Sequence, residues 1–203
     1  MHKLRPVLVL FAFLLAAAVV PAFAQPAQAD VSAAKAAKTG LLGGKVQLEY
    51  IYMDDANTTE YTILPKADID GQIEYDDSRL HFGKGQPWRF CVTMDVSDHN
   101  IKISDVYLLW NGEETHSGRI SPTKFNGFVI TFKNTQAITG VSINPETVFP
   151  SMEGEEPFSA KGITFSKNQI TVNWSNAKID DKTVISLDVS TAADKAPGTK
   201  GSN

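Results

Sequence analysis

The chain has 203 residues, 42% of them hydrophobic and 21% charged, with 19 Lys and Arg against 23 Asp and Glu and a formal net charge of −4. An acidic balance without any basic run argues against a nucleic-acid partner, whose phosphates require clustered Lys and Arg. One cysteine, Cys91, excludes an internal disulfide and a lipid-modified cysteine at an export cleavage site.

In chain order, "MHKLRP" is a short basic start, Val7–Val20 an unbroken apolar run and "PAFA" a small-residue cleavage motif. Together they predict a signal peptide over 1–24. The run is shorter than the roughly 20 residues of a membrane span, and no later segment is apolar enough to replace it. Cleavage would remove Lys3 and Arg5, leave a soluble chain near about −6 and place it in the periplasm or outside the cell. Residues 25–40 are rich in alanine and poor in large apolar side chains, which reads as a flexible spacer. A single domain is expected over 41–191, followed by a disordered tail over 192–203.

That domain is almost entirely period two. "KVQLEYIYM" aligns Val46, Leu48, Tyr50 and Tyr52 on one face. "PWRFCVTMDV" aligns Trp88, Phe90, Val92, Met94 and Val96, and "DVYLLWNG" aligns Val106, Leu108 and Trp110. "GFVITF" offers Phe128, Ile130 and Phe132, and "ITGVSI" offers Val141 and Ile143. Ile163 and Phe165, then Ile170, Val172 and Trp174, precede a closing strand with Ile185, Leu187 and Val189. Successive strand side chains point to opposite faces, and turn residues such as Asn111-Gly112 separate the segments. The fold expected is all-β, an antiparallel β-sandwich of immunoglobulin-like or jelly-roll type with eight to nine strands. Trp88, Trp110 and Trp174 are in phase with the core, as anchors or as sugar-stacking platforms. Ile51, Tyr107 and Leu109 lie out of phase, either covered by a loop or marking a contact patch.

Chemical signatures are sparse. His81, His99 and His116 have no metal-ligand spacing, no nucleophile elbow is present, and "GKGQPW" lacks the P-loop pattern. Acidic neighbours such as Asp54-Asp55 and Glu155-Glu156 would point to opposite faces of a strand, which is not the facing pair a glycosidase needs. The richest polar stretch is "DIDGQIEYDD", where Asp68, Asp70, Glu74, Asp76 and Asp77 surround Gly71. An acidic loop with a glycine bend suits Ca2+, although the EF-hand spacing is incomplete and a polar hairpin explains the same residues. Cys91 is expected to be buried, with self-association through an intermolecular disulfide as the sharper reading.

The stretch "GITFSKNQITVNWSNAKIDDKTVISLDV" (162–189) resembles the closing strands of exported bacterial β-sandwich proteins of the PEP-CTERM type. In these, an I-x-F…I-x-V-x-W pair precedes a V-x-x-L-D-V strand. The resemblance implies an exported sandwich; no Pro-Glu-Pro motif with a membrane segment follows Val189, so it does not imply anchoring. The expected function is a secreted, non-enzymatic binding or adhesion module of a bacterium. Its partner would be a glycan or an extracellular protein, met by Tyr61, Tyr75 and Tyr107, whose rings offer an apolar face and a polar tip. A structural subunit of a surface layer or matrix is the second reading, and a polysaccharide hydrolase with carboxylates converging from loops the third.

Overall fold

The computed structural model describes residues 40–56, 59–81, 88–110, 112–150 and 158–195. Every described residue belongs to one compact unit. The expected signal peptide, the spacer up to 39, residues 82–87, Asn111, Glu155-Glu156, the tail beyond 195 and the side chains of Trp88 and Trp110 lie outside the described residues.

The strands in order are β1 (Lys45–Met53), β2 (Thr59–Ile63), β3 (Ala67–Asp68), β4 (Ile73–His81), β5 (Trp88–Val96), β6 (Asn100–Trp110) and β7 (Glu113–Thr115). They continue with β8 (Gly118–Arg119), β9 (Phe125–Lys133), β10 (Ile138–Ile143), β11 (Ile163–Ser166), β12 (Gln169–Asn173), β13 (Lys178–Ile179) and β14 (Ile185–Thr191). The first sheet runs β11-β12-β9-β1-β2, with β3 also on β1. The second runs β10-β14-β6-β5-β4, with β7 also on β6, and β13 pairs β8 separately. All pairings are antiparallel. The architecture is an all-β sandwich. The expected count of eight to nine strands is too low: fourteen are described, and four of them, β3, β7, β8 and β13, have only two or three residues and show no period. Ala192–Lys195, assigned to the tail from sequence, forms a 3-10 turn with Ala192 N–H donating to Ala137 O at 2.8 Å.

Alternation places the core between the sheets. Val46, Leu48, Phe128, Ile130, Phe132, Ile170 and Val172 of the first sheet are buried, as are Phe90, Val92, Met94, Val96, Ile101, Ile103, Ile185 and Leu187 of the second. Each such burial contributes about 1.5–3 kcal/mol. An aromatic cluster ties the layers together: Trp174 lies 4.6 Å from Phe128 and 5.2 Å from Phe90, and Tyr50 5.3 Å from Phe90. Asn126 satisfies its polar tips, accepting from the Tyr50 hydroxyl and, at 3.3 Å, from Trp174 Nε1. Trp174 is thus a core anchor.

Two bulges shift the alternation. In β6, Ile101, Ile103 and then Val106 are buried, a change of parity at Asp105, which adopts φ 51°; the β5–β6 register shifts there. In β4 the parity changes between buried Tyr75 and Leu80, at Asp77 with φ 41°. Aspartate is one of the few side chains that tolerates this left-handed backbone, and an extra residue re-aims those that follow.

Candidate functional site

The three tyrosines separate in role. Tyr61 on β2 is 62% exposed. Tyr75 is buried, and its hydroxyl lies 2.6 Å from Pro65 O and 3.1 Å from Val46 O while accepting from Leu48 N–H at 3.3 Å. It joins the edge of one sheet to the other and has no face left for a ligand. Tyr107 is half-buried, its ring 5.3 Å from His116 just beyond β7, and its hydroxyl donates to Asp77 Oδ1 at 2.5 Å. That bond to a carboxylate, with burial second, raises the phenol pKa. Ile51 and Leu109 are likewise half-buried, so these out-of-phase residues are largely covered.

The acidic stretch does not converge into a calcium loop. Asp68 pairs with Lys45 at 2.5 Å, and Asp70 Oδ1 accepts from Gln72 N–H at 3.1 Å. Glu74 Oε2 accepts from Val96 N–H at 2.6 Å, Asp76 is exposed, and Asp77 holds Tyr107. Strand formation over Ile73–His81 stretches Glu74, Asp76 and Asp77 along β4, as the alternation of Ile73 and Tyr75 demands, while Asp68 lies on β3 and Asp70 in the turn between them. Among the described residues no group of three or more His, Cys, Asp or Glu could hold a metal ion. Cys91 is fully buried opposite Tyr107, which withdraws its thiol from the surface and removes the basis for self-association through it.

A groove that none of these residues enters lies beside the β11–β12 hairpin. Its volume is about 280 Å³, and it is lined by Phe158, Ser159, Lys161, Gly162, Asn173, Ser175, Asn176 and Ala177. Two segments build it. One is the 3-10 turn Ala160–Gly162 leading into β11; the other is the turn after β12. Hairpin register sets Ile163 opposite Val172, which brings Gly162 against Asn173. A Cβ at Gly162 would stand 2.4 Å from Asn173 O, so glycine allows the two walls to meet.

The second wall is rigid. Asn173 Oδ1 accepts from Asn126 N–H at 3.2 Å and Ser175 N–H at 3.1 Å, and its amide donates to Lys124 O. Ser175 Oγ accepts from Thr123 N–H and lies 2.8 Å from Thr123 O. Trp174 is buried behind them, and Asn176 follows in the left-handed region at φ 68°. With Asn173 and Ser175 committed to the fold, Ser159 Oγ, Lys161 Nζ and the Asn176 amide make no side-chain bond among the described residues. Phe158, stacked on Phe149 at 4.5 Å, supplies the apolar side. An aromatic wall, one cation, one hydroxyl and one amide can hold a small hydroxylated or anionic ligand; among the described residues none that lines the groove is acidic.

Sequence reading missed this groove. A signal was present: the hairpin around Ser166–Gln169 already implies that Gly162 faces Asn173, next to the Asn-Trp-Ser-Asn turn. No family model matches the chain, and no curated protein or solved structure does either.

Proposed function

We propose that this chain is an exported, non-enzymatic binding module whose groove takes one ring of a glycan bearing an acidic group. The observation that carries the reading is the set of polar groups of Ser159, Lys161 and Asn176, uncommitted among the described residues, beside the Phe158 wall. A saccharide presents hydroxyls for the amide and hydroxyl and a C–H face for the aromatic ring, and Lys161 favours a carboxylated or sulfated sugar. The volume is near the lower end of small-ligand clefts, ~300 Å³, which suits one ring of a longer chain. The basic and apolar start over 1–24 supports export to the periplasm or beyond, in a bacterium. No helix among the described residues is long and apolar enough to cross a membrane.

The test is an array of neutral and acidic glycans, followed by calorimetry on the hits. Lys161→Ala and Asn176→Gly, the latter compatible with the backbone at φ 68°, are each expected to weaken binding about tenfold, the cost of one charge-assisted or polar contact. A blank array, or hits indifferent to both variants, refutes the reading.

A further inference from the structure

On the side away from the groove, β2 ends the first sheet among the described residues. Leu64 N–H donates to Leu48 O at 2.9 Å, and this sets the parity of the strand. Residues of an antiparallel strand alternate between bonding toward one neighbour and the other. Glu60 and Thr62 therefore spend their backbone groups on β1, while Tyr61 and Ile63 aim theirs at the open edge. These two residues also carry exposed apolar side chains, Tyr61 at 62% and Ile63 at 49%. A regular edge of this kind is a template for another strand. The neighbouring edge in the second sheet, β4, is broken by two register shifts and carries exposed Asp76 and Asp77, so only β2 offers an unbroken ladder here.

We propose that β2 pairs antiparallel with β2 of a second copy, about a two-fold axis through Thr62. In that register Tyr61 stands opposite the partner's Ile63, and the two exchange both backbone hydrogen bonds. The pairing is self-complementary: it repeats on the other side of the axis and covers all four exposed apolar side chains. Aromatic against β-branched is a favourable cross-strand pair. Pro65, which lacks an N–H, ends the ladder on either side. Charge follows the same register. Glu60 faces the partner's Leu64 and lies diagonal to the partner's Lys66. Among the described residues Lys66 has no carboxylate partner and Glu60 no cation, and Lys133 beside Lys66 lowers its pKa. Five residues a side form a small interface, so the dimer is weak and concentration-dependent.

Sedimentation velocity on protein purified after secretory expression tests this, from low to high micromolar concentration. The expected mass rises from one chain to two. Tyr61→Lys with Ile63→Lys sets like charges opposite each other twice and should raise the dissociation constant at least about tenfold. Lys66→Glu should weaken the dimer, and adding Glu60→Lys should restore it. Unchanged near-ultraviolet dichroism shows that each variant is folded. A mass of one chain at every concentration, a dimer indifferent to the double lysine variant, or no rescue by the charge exchange overturns the proposal. Glycan binding at the groove does not enter these readouts.

Discussion

Glu74 should make the domain less stable as pH rises toward neutrality, and Glu74→Gln should abolish that loss. The side chain is partly exposed, but Oε1 is wholly shut from solvent and has no hydrogen-bond partner, while Oε2 accepts from Val96 N–H. Burial, chiefly, pushes its pKa from 4.5 up to about 7, and Asp95 and Asp70 push the same way. Between those values the folded chain holds a proton that the unfolded chain has released, so unfolding stability falls from about pH 4.5 to about pH 7 and is flat above. Each pKa step corresponds to about 1.4 kcal/mol, about 3 kcal/mol in all. The side chain is only partly buried, and screening by solvent leaves about 1 kcal/mol. Glutamine reproduces the neutral acid. Urea titrations at pH 5, 6, 7 and 8 should give equal stability for both proteins at pH 5 and a variant about 1 kcal/mol more stable at pH 8. Identical pH slopes for the two would refute the reasoning.

Gly127→Ala should cost about 3 kcal/mol or more, because its Cβ would stand 1.9 Å from Val172 O across the β9–β12 ladder; a urea midpoint close to wild type would contradict this. Tyr75→Phe should cost about 2 kcal/mol, since Val46 O, Pro65 O and Leu48 N–H lose the hydroxyl together. Tyr61→Phe, at an exposed site, should stay within about 0.5 kcal/mol in the same denaturation series.

The sandwich was legible because its physics is local. Val46, Leu48 and Tyr50, or Ile170, Val172 and Trp174, can bury one face only if the chain is extended, and the alternation states which face. Parity shifts were harder to read. Nothing in "ISDVYL" marks Asp105 as a bulge, yet the bulge decides that Val106 turns inward and Tyr107 outward. Tyr75 and Tyr61 look alike as aromatic candidates in polar surroundings. They part because Tyr75 points between the sheets, where backbone carbonyls await its hydroxyl. The acidic stretch misled for a related reason, since a run of carboxylates suggests a loop until strand pairing spreads them out. The groove depends on Gly162 meeting Asn173 across a hairpin and on which polar groups the fold leaves uncommitted, and the second of these is visible only in three dimensions.

The most direct test of the groove as the working site is a ¹⁵N-amide titration with an acidic oligosaccharide taken from the array. Amides of residues 158–162 and 173–177 should move in a saturable way, while those of 59–63 on β2 stay where they are at dilute protein. Shifts centred on Tyr61 and Ile63, or none near Lys161 and Asn176, would contradict the account.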